Sequence, residues 1–514
     1  MSTAADSGPG WLRLHPRTAL VTALVTAGVA AGTAVPVAAG LSGRIGYPRA
    51  IGWVLAGAVL LIGCATATDH VRWRRTRYRV GAGRVDLHTG LLLVKRRSLA
   101  RERIRSVDLT AHPLLRVLGL VTVRIGTGEH TGGDSTLELD PVARAEGERL
   151  RRELLGRAPS SAARGAHREG ELATLDLRWI RYAPVSFVAP MLGGAAIGGV
   201  LQISDWVGAQ GEVIDWAADR FRDTPLLWAI VVTVLTALAA GVVGALGLWV
   251  EMWWNYRLER EPGGTLRVRR GLLTSRSLSV EERRLRGVDL VEPLGVRMLA
   301  AARVDAITTG LAQDEESRGA DHDTLLPAVP RALADRIAAE VLRESVSPTG
   351  VPLTAHPRAA LRRRMRLAVA AALVPVLVLV LLGTLLTPVL LWVALGCATV
   401  SLPLAVALAL DAYRSLGHAL SGAYLVTRSG TLRRSTAALQ RSGVIGWTVK
   451  ESWFQRRAGL IGVTATTAAG AGAYTVRDVD AGAGLVLAAE AVPGLLEPFL
   501  VREEAPRTGG PPLP

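Results

Sequence analysis

The side chains that most often carry chemistry are sparse and dispersed in this 514-residue chain. Cys64 and Cys397 each lie inside a long uncharged run, so they read as apolar thiols rather than a disulfide framework or a metal site. The nine histidines are scattered, and solvated loops account for them. His112 and His130 have no metal-ligand spacing with each other or with a carboxylate pair. Residues 126–134 are glycine-rich like a phosphate loop, but the Gly-Lys-Ser/Thr ending is missing. Strand-like runs flank them at 121–125 and 135–139, which makes them a hairpin. Asp108 and Asp289 recur at equivalent places, yet Thr448 stands at the third such place. No catalytic residue, metal ligand or cofactor is expected.

The chemistry that remains is positive charge. The formal net charge is +16, and Lys95 and Lys450 are the only lysines, so arginine supplies the excess. Arg72, Arg74 and Arg75 follow one apolar run; Arg362, Arg363 and Arg364 precede another; Lys95, Arg96 and Arg97 share a predicted strand. Near the C-terminus Trp453 and Phe454 stand beside Arg456 and Arg457. These thirteen residues are the candidates for facing anionic lipid headgroups or a membrane protein partner, since each basic residue near an anionic surface gains about 1 kcal/mol. A structural reading of the last group competes: its glycine permits a bend, Leu460 and Val463 enter a core, and Arg456 covers apolar surface. The structural reading is preferred, because Pro113-Leu114 and Pro293-Leu294 replace the aromatic pair elsewhere. Nucleic acid is not an expected partner, for no helix-turn-helix, zinc or RNA-binding pattern is visible.

Uncharged runs cover residues 19–40, 51–68, 182–204, 224–250 and 367–410. A bilayer crossing takes about 20 apolar residues, so the first four runs are one span each. The fifth folds into two, with Gly383 and Pro388 bracketing its turn. The first run is longer than the apolar core of a cleaved signal peptide, about 7–15 residues. Arginine clusters lie on the module side of the hairpins, whereas the loop between spans three and four carries Asp205, Glu212, Asp215, Asp219 and Asp223. Positive residues stay cytoplasmic, which puts both termini and all three modules on the cytoplasmic face of the plasma membrane. Trp249, Trp253 and Trp254 are expected at the membrane interface.

Behind each hairpin the same pattern returns. Gly90 aligns with Gly430, Leu99 with Leu439 and Arg116 with Arg456 without a gap. A second copy repeats Gly90-Leu91-Leu92 as Gly271-Leu272-Leu273, Arg97-Ser98-Leu99 as Arg276-Ser277-Leu278, and residues 104–109 as 285–290. Each copy reads as a partly open antiparallel sheet of about seven short strands closed by a helix. The helix is expected from Asp140-Pro141 in the first copy, from Pro330 in the second, and around Pro493-Gly494 in the third. The expected organisation is hairpin 19–68, module 72–156, linker 157–176, hairpin 182–250, module 251–344, linker 345–361, hairpin 367–410, module 413–500 and a disordered tail 501–514.

The progression Gly-Leu-Leu, Arg, Ile-Arg-Ser-Val and Arg-Arg-x-Gly-Leu resembles the bacterial pleckstrin-homology-like domain. The paired helices before each copy make the whole similar to YdbT-type multi-pass membrane proteins. Phe454-Gln455-Arg456-Arg457-Ala458-Gly459-Leu460 is the most specific match, while the second copy departs with Ala300 where the others have Gly119 and Gly459. The resemblance implies an α+β membrane protein: six transmembrane helices in three hairpins, each followed by a pleckstrin-homology-like β-sheet or barrel domain with a C-terminal helix. It also implies no catalysis. The expected function is a non-enzymatic scaffold for lipid or protein partners in envelope maintenance; a transporter or channel with regulatory cytoplasmic domains is the alternative.

Overall fold

The computed structural model describes residues 11–81, 83–90, 95–104, 106–126, 136–155, 170–186, 188–206, 208–309 and 323–499. Expected features at 91–94, 127–134 (with His130) and 501–514 lie outside them. The chain divides into two compact units: 1–285 with 295–303 and 308–331, and 286–294 with 304–307 and 332–514.

In the first unit β1 (Leu12–Arg13) precedes a helical hairpin of α1 (Thr18–Ile45) and α2 (Tyr47–Arg75). The first module follows as β2 (Arg77–Val80), β3 (Arg84–Thr89), β4 (Lys95–Ala100), β5 (Ser106–Ala111), short α3 (Pro113–Val117), β6 (Leu120–Gly126), β7 (Thr136–Ala143) and α4 (Arg144–Leu155). Next come β8 (Gly170–Thr174), α5 (Val188–Trp206), α6 (Gln210–Phe221), α7 (Leu226–Trp253), β9 (Arg257–Glu261), β10 (Thr265–Arg270) and β11 (Ser275–Glu281). Beyond them are β12 (Leu285–Pro293), α8 (Leu294–Met298), β13 (Ala301–Thr308), β14 (Thr324–Pro330) and α9 (Arg331–Leu342). The second unit continues with the hairpin α10 (Arg358–Leu385) and α11 (Val389–Arg414). Its module comprises β15 (Gly417–Ser421), β16 (Tyr424–Ser429), β17 (Arg433–Gln440), β18 (Val444–Lys450), α12 (Trp453–Arg456), β19 (Leu460–Thr467), β20 (Ala473–Asp480) and α13 (Ala481–Ala491).

Five of these helices, α1, α2, α7, α10 and α11, are long and apolar enough to cross a membrane. Helix α5 has 19 residues and starts at Val188, later than expected, because Leu177–Tyr182 forms a 3-10 turn that buries Trp179 and Tyr182. It lies tight against α7: a side chain at Gly193 would meet the Ala237 carbonyl at 2.1 Å, and one at Gly241 the Ala189 carbonyl at 1.9 Å. Small residues allow such backbone approach where lipid supplies no hydrophobic drive. Trp249 and Trp253 are buried against the protein; Trp253 meets Tyr256 edge-on at 5.6 Å and lies 4.4 Å under Arg270.

Among the described residues each module has six strands in two halves, where one sheet of about seven was expected. In module 1, Tyr78, Val85 and Leu87 of the first half meet Val123, Ile125 and Leu139 of the second, with Leu150 and Leu154 of α4 completing the core. In module 3, Leu425 and Leu439 meet Ile461, Val463 and Val476, closed by Leu487 and Ala488. The short helix, a left-handed residue and the closing helix form one device in all three copies. Gly119, Ala300 and Gly459 have φ of +70, +50 and +63°, and their carbonyls accept from the amides of Arg144, Arg331 and Ala481 at 3.0, 2.9 and 3.1 Å. The alanine therefore keeps the bend that glycine adopts more readily.

Three helix predictions need correction or trimming. Asp140-Pro141 belongs to β7, and α4 starts at Arg144. The second closing helix starts at Arg331, one residue after the expected proline. The third is α13, which precedes residues 493–494; the Asp480 carboxylate caps it by accepting from the amides of Gly482 and Ala483 at 3.2 and 3.3 Å. Its Ala- and Gly-rich sequence hides the apolar period. Within the expected linker, residues 170–174 form β8, which pairs with β9.

The halves continue from one module into the next. In the first unit the order is β7-β6-β5-β11-β10-β9-β8, and in the second the run is β12-β17-β16-β15. The hairpins fix one frame: Arg84 opposes Ala100, Thr265 opposes Glu281 and Tyr424 opposes Gln440. Val280, not Leu278, is thus the counterpart of Leu99. The two-residue slip in the sequence alignment keeps every side chain on its face, so alternation alone could not reveal it. Both joints share one register. Leu109 opposes Ser277 in the first, Leu290 opposes Thr436 in the second, and Ser277 and Thr436 both correspond to Arg96.

Candidate functional site

The Trp453–Arg456 turn is built by its own sequence. Ser452 Oγ accepts from the Gln455 amide at 3.3 Å and Gln455 Oε1 accepts from the Ser452 amide at 2.9 Å, a reciprocal cap. The cap presents Trp453 and Phe454 outward, 59% and 58% exposed, with rings edge-on at 5.0 Å. The Arg457 guanidinium stacks 3.9 Å over Trp453, a cation–π contact. Across from them α10 contributes Arg362, Arg363 and Arg366, then Leu367 and Ala370, around a cavity of about 640 Å³. Its charged end adjoins the basic start of α10, and its apolar end adjoins the uncharged run that begins at Leu367.

The same helix is bolted to the module by Asp478. This buried carboxylate accepts from Arg363 Nη1 at 2.7 Å, Arg364 Nε at 2.9 Å and Gln455 Nε2 at 2.9 Å. Gln455 stands where Leu115 and Val296 are buried in the other short helices, so the third copy exchanges an apolar contact for a polar one. Arg363 thus both lines the cavity and binds Asp478, while Arg364 is turned inward, also donating to the Ala412 carbonyl at 3.3 Å. Arg456 points elsewhere, 3.5 Å from Glu451. Arg72 pairs with Asp69 at 3.5 Å, Arg74 and Arg75 are exposed at the end of α2, and Lys95, Arg96 and Arg97 lie along β4. The structure therefore brings together Arg362, Arg363, Trp453, Phe454 and Arg457 around the cavity, and turns Arg364 inward beside them.

Two groups were not legible from sequence. A cleft of about 350 Å³ in the first unit is lined by Arg116, Arg144, Arg257, Arg269 and Arg276, with Glu148 the one acid among its lining residues. Glu148 already receives Arg267 at 2.7 Å and Arg151 at 3.2 Å. Burial and the neighbouring Arg267 lower the pKa of Arg269, as expected where cations crowd. The alternation of Arg267 and Arg269 on one strand was the available signal. The second group is a buried histidine pair, against the expectation of solvated histidines: His418 Nδ1 lies 3.1 Å from His356 Nε2, and His356 Nδ1 lies 3.1 Å from the Asp478 carbonyl oxygen.

Burial, with His356 close by, pushes His418 down to about 4; His356 is lowered mainly by burial. The unfolded chain takes up protons near pH 6.5 while the folded pair resists. We expect the third module to lose about 2 kcal/mol between pH 7 and pH 5 from His418 alone. Thermal unfolding at the two values checks it, and His418→Gln should flatten the difference.

The description Bacterial PH domain is matched at residues 28–158, 203–345 and 367–488. The chain belongs to the bacterial PH domain family. Each match begins inside α1, α5 or α10, so the repeating unit of these bacterial PH domains includes membrane helix as well as module. The UPF0699 transmembrane protein YdbS of Bacillus subtilis (strain 168) is 32% identical over 120 residues, 23% of this chain and 72% of that protein. No solved structure matches the chain. The three bacterial PH domains and the apolar helices make this a membrane protein.

Proposed function

We propose that this bacterial PH protein is a non-enzymatic membrane scaffold whose third module seats an anionic lipid headgroup. Six helices in three hairpins, with α5 as the third span, hold all three modules and both termini on the cytoplasmic face. The supporting observation is the cavity between α10 and the Trp453–Arg456 turn. Arg362, Arg366 and Arg457 meet a phosphate there, Leu367 and Ala370 meet the first acyl carbons, and Trp453 and Phe454 sit at the boundary as interfacial aromatics do. The arginine-lined cleft of the first unit is a second place where an anion is stabilised. Modules tethered in one plane raise the local concentration of each for a shared lipid patch or partner.

The test is lipid retention by purified full-length protein, followed by native mass spectrometry with added phosphatidylglycerol or phosphatidylcholine. Arg362→Gln with Arg457→Gln should lower retained phosphatidylglycerol about ten-fold, as expected for losing two near-surface charges worth about 1 kcal/mol each less partial compensation. Phosphatidylcholine retention should not change. Equal retention of both lipids by the unaltered chain would count against the proposal.

A further inference from the structure

Both interior joints pair a β5-type strand with a β4-type strand of the following module, whereas β4 of the first module and β18 of the third are sheet edges among the described residues. Among the described residues no strand adds to the outer edge of either. We propose that these two edges form a third joint, closed between two copies of this chain arranged head to tail.

The edges bear the marks of strands waiting for this partner. Val449 is 43% exposed, while its counterparts Leu109 and Leu290 in closed joints are 6% and 0% exposed. Ile445 is 63% exposed beside it. No residue of β4 is buried, whereas its counterpart β17 buries Thr436 through Leu439. Gly446 supplies an independent sign. Its counterpart Gly287 is where the second joint is tightest, for a side chain there would lie 1.9 Å from the Ala438 carbonyl oxygen. Gly446 has open space around the same direction. Glycine inside a strand often marks close approach of another backbone, and here that backbone is absent from the single chain. The first joint carries Ser106 at this place, so β18 follows the second.

Carrying over the shared register sets Gly446 against Leu99, Trp447 against Ser98, Thr448 against Arg97, Val449 against Arg96 and Lys450 against Lys95. The only two lysines of the chain thus meet directly. Lysine on an edge strand restrains edge-to-edge addition, and like charges directly opposite weaken a strand pair. One screened pair opposes the backbone bonds of a whole strand, so the joint forms but weakly, and more readily as salt rises. Such a contact is heterologous and generates rings or open chains according to its rotation.

The test uses full-length protein in liposomes, with Cys64 and Cys397 changed to Ser. A chain carrying Lys95→Cys is mixed with one carrying Lys450→Cys and oxidised. A cross-linked heterodimer is expected, with neither chain cross-linking alone. Adding Gly446→Val to the second chain should leave its melting unchanged, because nothing crowds that position in the single chain, yet cut the heterodimer at least about ten-fold by meeting the Ser98 backbone. In the chain that carries neither cysteine substitution, Lys450→Glu should raise self-association about five-fold at low salt, and adding Lys95→Glu should reverse it. Absence of the heterodimer, indifference to Gly446→Val with folding intact, or no response to the charge exchange would each overturn the proposal. If Gly446→Val does not fold, the charge exchange decides alone.

Discussion

Replacing Asp478 with Ala is expected to destabilise the third module by about 3–5 kcal/mol, the cost of removing one partner of a buried ion pair. Three side chains from two elements converge on this carboxylate, and it is almost fully buried. Without it Arg363 and Arg364 remain about four-fifths covered, at 21% and 18% side-chain exposure, with no opposite charge. The backbone adds to the effect: Asp478 has φ +56°, which Asp tolerates better than Ala. Asp478→Asn, which keeps one acceptor oxygen and the left-handed preference, should cost less. Differential unfolding in detergent measures both. Hydrogen exchange should also rise at the start of α10, since that helix loses its anchor.

Gly287→Val is expected to be the second most damaging change, at about 3 kcal/mol. The new side chain would point at the Ala438 carbonyl oxygen 1.9 Å away and at the Leu439 Cα 3.2 Å away. Both are backbone atoms, so no rotamer change relieves the contact and β12 must part from β17. The Glu292–Arg434 pair at 2.9 Å and the Ser435–Asp289 hydrogen bond at 2.6 Å bridge these two strands and should be lost with it. Gly446→Val is the control, because the same substitution at the corresponding place has no atom to strike within one chain. Equal destabilisation by the two would show that strand propensity, not the joint, governs the cost.

The parts of the fold legible in the sequence were those encoded by long-range pattern. Uncharged runs marked the five long apolar helices, and the return of Gly90 as Gly271 and Gly430 marked the repeat. The joints were not legible, because strand pairing between modules is decided by backbone register, and a two-residue slip leaves the alternation intact. One clue was present. Asp108 and Asp289 sit on joint strands while Thr448 sits on the open edge, so a joint-facing role explains why the third copy lacks the acid. Burial, chiefly, pushes Asp108 up to about 7 in that setting, with Arg124, Arg270 and Arg276 countering.

The candidate site was legible in its residue types and not in its arrangement. Trp453, Phe454 and Arg457 drew notice as aromatics beside arginine, and Arg362 and Arg363 as part of a basic run, but about ninety residues separate the two groups. Their meeting depends on Gln455 and Asp478, whose roles are tertiary. The same holds for His356 and His418: each is an ordinary histidine by spacing, and only the fold places a ring nitrogen of one 3.1 Å from a ring nitrogen of the other.

Site-directed accessibility is the most direct check on the whole arrangement. Single cysteines at Arg84, Leu273 and Gly422, one in each successive module, would be challenged with a membrane-impermeant maleimide in intact spheroplasts and in inverted vesicles, on a background free of Cys64 and Cys397. Three exposed greasy anchors with their folded heads on the inner leaflet predict labelling of all three positions in inverted vesicles and of none in spheroplasts. Labelling of any one of the three from the outside would contradict it.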